Sequence, residues 1–185
     1  MPTPTELAQA FKRAIDRQDA AALMRLARTY HQLYLRMGDK LDSLLLAISK
    51  LESPTKGQVF RLAQYKNLIS ALETELTKFG TFTELEIRSN SQAAIELAVK
   101  QTEAFLSAAG YTMTRSLPTD AIYNMLGFLQ EGSPLWKRIG ELAPYHTQRV
   151  ADALLEGIAF GYNPAKTARM FESVMGGGLT DAMRM

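Results

Sequence analysis

The chain has no cysteine among its 185 residues. A disulfide framework, a thiolate nucleophile and a cysteine-ligated zinc or iron–sulfur site are all excluded. Histidine is nearly as scarce: His31 and His146 are the only two, and neither has a second His or a carboxylate three or four residues on. A helix-borne metal site therefore has no candidate ligand pair. Tryptophan occurs once, at Trp136. No apolar run approaches the roughly 18 residues that a membrane span needs, and the amino end, MPTPTELAQAFKRAIDRQ, is too charged for a secretory signal. Neither sign of charge dominates: 21 basic and 19 acidic side chains leave a net charge of +2. Nucleic-acid binders instead concentrate basic groups on one face.

Catalytic patterns are equally thin. Ser53-Pro54-Thr55-Lys56 matches the Ser-x-x-Lys spacing of some acyl enzymes, but it sits in a turn and lacks partner motifs. Glu73 and Glu75, like Glu84 and Glu86, are two residues apart and point to different helix faces, so they make no paired-carboxylate site. Gly176-Gly177-Gly178 precedes a helical stretch, yet no Gly-Lys-Ser/Thr follows to make a phosphate loop. The residues nominate no catalytic group, no cofactor and no metal.

What the chain does have is helical periodicity almost throughout, and no strand-like alternation of useful length. An all-α fold is expected, a long antiparallel hairpin followed by a bundle of shorter helices. A first helix opens at Thr5 and ends near Gln18. A second starts at Asp19 or Ala20 and runs to Leu51, with apolar residues at Leu23, Leu26, Tyr30, Leu33, Met37, Leu41, Leu44, Ile48 and Leu51. Those steps of three and four make a heptad seam with one stutter beside Gly38. Such a helix would be about 45–50 Å long and needs a partner for its seam. Pro54 and Gly57 mark the turn. The partner begins after it, with Phe60, Leu62, Tyr65, Ile69, Leu72, Leu76 and Phe79. Gly80-Thr81 is expected to interrupt that partner, with Thr83 and Glu86 capping a restart; whether residues 57–110 make one kinked helix or several pieces stays open. Gly110 closes this first region, residues 1–110.

Residues 111–175 read as a region of shorter helices. Tyr111 to Pro118 is the one plausible linker, and helices follow at Thr119 to Gln130, Ser133 to Leu142 and Pro144 to Phe160. Trp136 sits in a first turn. A packing anchor is its simpler reading; with Tyr145 it is also the candidate interface, since aromatic residues are enriched at binding hot spots. Gly161 ends the last of these helices, Asn163 is placed to cap the next, and Pro164 occupies its tolerated first position. That helix is expected to stop at Met175, with Gly176, Gly177 and Gly178 as a joint. Residues 176–185 then read as the joint and the start of a truncated domain, because the final amphipathic helix has no stop signal.

Gly157, Gly161, Asn163, Pro164, Ala168, Arg169, Gly176, Gly177, Gly178, Leu179 and Ala182 form a spaced pattern. It resembles the region upstream of the core domain in phage head morphogenesis proteins, the minor head or minor capsid proteins of the Mu F type. The resemblance covers about 30 residues closely. It implies a role in head assembly, contact with the portal protein and other head proteins, and a path from host cytoplasm to virion. It also implies that this stretch supplies binding surface and no catalysis. The amino-terminal third leans basic through Lys12, Arg13, Arg17, Arg25, Arg28, Arg36 and Lys40. A solvated helix face accounts for that; weak contact with packaged DNA is the sharper alternative. Oligomerisation is open, as is a generic helical adaptor or regulator unrelated to phage.

Overall fold

The structure, a computed structural model, describes residues 3–111, 121 and 134–183. Five helices account for nearly all of them: α1 (Pro4–Ser49), α2 (Lys56–Arg61), α3 (Ala63–Ala108), α4 (Pro134–Ala159) and α5 (Pro164–Met183). No strand occurs among the described residues. The expected linker and the helix at Thr119 to Gln130 lie almost wholly outside the described residues.

Helix α1 is 46 residues long, about 70 Å. It starts at Pro4, within one residue of the expected opening at Thr5. Thr3 caps it in a reciprocal box with Glu6, and Pro4 takes the first turn. The expected break at Gln18–Asp19 does not exist. Asp19 has the chemistry of a cap, but its Oδ1 accepts from Asn90 Nδ2 at 2.8 Å across the hairpin. Gln18 Nε2 donates to the Asn90 carbonyl beside it at 2.7 Å. A second capping box, Thr55 with Gln58, starts α2. Leu62 then turns extended (ψ 132°) and separates α2 from α3.

Helices α1 and α3 run antiparallel. Gln18 meets Asn90, Arg25 pairs with Glu86 at 2.8 Å and Arg36 with Glu75 at 2.7 Å, so one residue number falls as the other rises. The buried seam of α1 is Ala22, Leu26, Tyr30, Leu33, Met37, Leu41 and Leu44. Its expected ends are less covered: Leu23 is exposed and Leu51 half-buried in the loop. On the partner, Val59, Tyr65, Leu68, Leu72, Leu76 and Phe79 are buried, whereas Phe60 is 56% exposed. Val59 and Leu68 are buried where Phe60 and Ile69 were expected; Leu68 keeps the three- and four-residue spacing of Tyr65, Leu72, Leu76 and Phe79 along α3, and Val59 lies on the separate helix α2.

The predicted interruption at Gly80-Thr81 is also absent. Gly80 is buried inside α3 and faces the backbone of Ile139 on α4. Thr83 caps nothing: it is buried, and its hydroxyl donates to the Phe79 carbonyl at 2.8 Å, one turn back in the same helix. Helix α4 likewise passes through Pro144, where the sequence suggested a break. The proline removes one helical hydrogen bond to Gly140, and both residues are exposed, so water can satisfy the freed carbonyl.

Helices α4 and α5 form a second hairpin. Helix α4 packs on α3, and α5 packs on α1. The result is four helices around one apolar cluster that runs from Leu26 to Met175 and takes residues from both sides of the expected boundary at 110–111. Only part of the long hairpin shares it. No described residue of α1 before Ala22, or of α3 after Thr83, is buried. The hairpin therefore has an inner half inside the bundle and an outer half held by half-buried contacts.

Leu44 is fully buried and Leu46, two residues on, is 60% exposed. Leu44→Ala is expected to cost about 2–5 kcal/mol and Leu46→Ala less than about 0.5 kcal/mol, measured by denaturant unfolding. Glu75 is held below the ordinary carboxylate range by the hydrogen bond from Lys78, helped by the charges of Arg36 and Lys78 and opposed by partial burial. A carboxyl depressed in the folded state stabilises above the unfolded value of about 4.3, and that contribution is lost as pH falls through the folded value. Glu75→Gln should therefore lower stability at pH 7 and make its decline below about pH 5 shallower, read from thermal unfolding across pH.

Candidate binding cleft

The turn between α4 and α5 is assembled from small residues with separate tasks. Gly161 has φ +63°, a conformation that costs glycine little and other residues about 1–2 kcal/mol. It lets the amide of Gly161 return to the Ile158 carbonyl at 3.0 Å and that of Tyr162 to the Gly157 carbonyl at 2.9 Å, satisfying carbonyls at the end of α4. The Asn163 side chain then accepts from the amide of Lys166 at 2.8 Å, and Pro164 is the first residue of α5. Gly157 lets the two helices approach. A Cβ there would lie 2.9 Å from Thr167 Oγ1 and 3.1 Å from its Cγ2. Thr167 is itself buried, and its hydroxyl donates to the Asn163 carbonyl at 3.3 Å.

This elbow is one wall of an open cleft of about 590 Å³. The opposite wall is the end of α1 and the loop before α2. Leu45 and Ile48 come from α1, Leu51 to Thr55 from the loop, Ile158 and Ala159 from α4, and Gly161, Tyr162, Pro164 and Thr167 from the elbow and α5. The lining is mainly apolar, with the hydroxyls of Ser49, Ser53, Thr55, Tyr162 and Thr167 and Glu52 as its one carboxylate. Beside the rim, Phe160 is exposed and stacks on Tyr162 at 5.6 Å. The ammonium of Lys166 sits 3.2 Å from the Tyr162 ring centroid, a cation–π contact that holds this lysine over the elbow.

The other residues singled out from the sequence lie elsewhere. Trp136 is in the first turn of α4, with its side chain outside the described residues. Tyr145 is exposed on α4, edge-on to His146 and 5.5 Å beneath the Arg149 guanidinium. Those two lie on the helix α4, away from the elbow. Gly176, Gly177 and Gly178 are a correction: the run is helical, inside α5, and makes no joint in this structure. Its neighbour explains this in part, because the Met175 carbonyl accepts from the buried Tyr30 hydroxyl at 2.6 Å and anchors the helix just before the glycines. A smaller groove of about 260 Å³ lies on the outer hairpin, between Leu7 and Phe11 of α1 and Phe105 of α3. Among the described residues no group of three or more His, Cys, Asp or Glu could hold a metal ion, and no helix is long and apolar enough to cross a membrane.

The contact between Gly157 and Thr167 and the cleft itself went unforeseen. Glycine ten residues before a threonine carries no local signal. The two cleft walls come from stretches more than a hundred residues apart, such as Leu45 and Ile158. Comparison with known protein families, curated proteins and solved structures finds no match.

The elbow makes a graded set of expectations. Asn163→Ala should cost about 1 kcal/mol, and Gly161→Val more, since valine must take positive φ. Gly157→Ala should also destabilise, through the clash with Thr167. Gly177→Ala should do the opposite. It lies inside a helix with nothing within 4 Å of the added methyl, so a gain of about 0.5–1 kcal/mol is expected. Thermal unfolding of the four variants gives the order, and a loss at Gly177→Ala would show that the run is not helical in solution.

Proposed function

We propose that this protein is a helical binding component of phage head assembly, a minor head protein that contacts the portal vertex. What supports the reading is a coincidence of position. Five of the eleven residues that carry the likeness to minor head proteins, Gly157, Gly161, Asn163, Pro164 and Ala168, lie at or beside a single elbow, and that elbow forms one wall of an open apolar cleft. The elbow residues work as scaffold: a close-approach glycine, a left-handed glycine, a cap and a helix-starting proline. Their open side is where a partner would sit. The described residues offer helix faces and a cleft for recognition, and the activity proposed for them is assembly by binding.

The partners proposed are the portal oligomer first, then other head proteins, with the protein passing from host cytoplasm into the virion head. Affinity co-purification with the portal protein encoded beside it is the test. Recovery of the pair, together with the protein's presence in purified heads, is the expected result. Absence from purified particles and no portal binding at micromolar concentration would leave a generic helical adaptor.

A further inference from the structure

We infer that the cleft between the α1–α2 loop and the elbow takes a short acidic peptide segment of a partner protein, anchored by one bulky apolar side chain. The inference rests on the binding role proposed above and names the chemistry of the partner for that site. Its volume, about 590 Å³, is that of a pocket for a small ligand or side chain. Its mouth is open, which suits a side chain presented by a larger molecule. Leu45, Ile48 and Ile158 give the anchor an apolar floor.

Charge selects the flanks of that anchor. Lys50 and Lys56 bracket the loop from Leu51 to Thr55, all of which lines the cleft, and both are exposed. Neither has an ion-pair partner among the described residues. Lys166 stands at the opposite wall, positioned by the Tyr162 ring. Each of the three lysines adjoins a lining residue in the chain (Leu51, Thr55 and Thr167) without lining the cleft itself, and the one carboxylate in the lining is Glu52. The amino end of α5 opens on the same cleft, and its dipole has the same positive sign. Acidic residues beside the anchor would find complementary charge on both walls, and the rim charges would set approach and specificity.

Fluorescence polarisation with labelled peptides of about ten residues tests this directly. One probe carries a Phe flanked by Asp and Glu, a second has Ala for Phe, and a third has Lys for the acidic residues. The first should bind, the second at least about tenfold more weakly, and the third not measurably. Lys50→Glu with Lys56→Glu should weaken the first probe about tenfold. Ala159→Trp, at an exposed lining position, should block it while circular dichroism and melting temperature stay unchanged. Equal binding of the Phe and Ala probes, indifference to Ala159→Trp, or equally tight binding of an oligothymidine would overturn the inference. Portal co-purification that survives Ala159→Trp would separate the two readings: head assembly would stand and the cleft would have no part in it.

Discussion

Four amphipathic helices have to share one apolar interior, and Tyr30 is where three of them meet. Its ring belongs to α1, packs edge-on against Phe79 of α3 at 5.0 Å, and its hydroxyl donates to the Met175 carbonyl of α5 at 2.6 Å. An aromatic ring with a polar tip suits such a junction, because the apolar body fills the core while the hydroxyl satisfies an otherwise buried carbonyl. Around it, the seam from Leu26 to Leu44 determines which face of α1 can be shared. Neither long helix could hold its length in water without that shared face. Tyr34, one turn on, extends the junction outward through a 3.1 Å bond to Glu172.

Much of this was legible where a local rule and a tertiary contact agree. The α1 seam repeats at heptad spacing, and the buried set follows it from Leu26 to Leu44. Gly110 and Gly161 both take positive φ at helix ends, as their positions suggested. The misreadings share one feature: a residue that breaks helices locally sits inside a helix that continues through it. Asp19 is held by Asn90 and caps nothing; Gly80 is buried against Ile139 of α4; Pro144 sits on a solvated face; and Gly176 to Gly178 continue a helix anchored at Met175. Propensity is a weak prior in each case; tertiary contacts overrode it at Asp19, Gly80 and the glycine run, and solvent tolerates the break at Pro144. The cleft was illegible for a different reason. No window of sequence contains both Ile48 and Ile158, and nothing in the spacing of either marks a cavity between them.

The elbow separates the residues that define a pattern from those that would meet the partner proposed above. Gly157, Gly161, Asn163 and Pro164 are chosen by backbone geometry: contact distance, φ, a free amide and a missing one. Any protein that turns two helices this tightly has reason to use the same residue types. Recognition would depend on Leu45, Ile48, the loop and the lysines around it, where the spaced pattern imposes nothing. On that reading scaffold and specificity would fall to different residues, as they do when one fold serves several functions.

The uneven burial along the hairpin has a thermodynamic consequence. Within the same two continuous helices, the inner half is sealed by α4 and α5, while the outer half depends on half-buried apolar contacts, the amide of Asn90 and an exposed Arg25–Glu86 pair. Exposed ion pairs contribute little, so the outer half has the lower free energy of local opening. Amide hydrogen exchange would therefore run as a gradient along each helix, fastest near Leu7 and Phe105 and slowest near Leu33 and Leu76. A pair of helices unbroken in geometry would behave as two cooperative units in energy, and the boundary between them would fall close to Ala22 and Thr83.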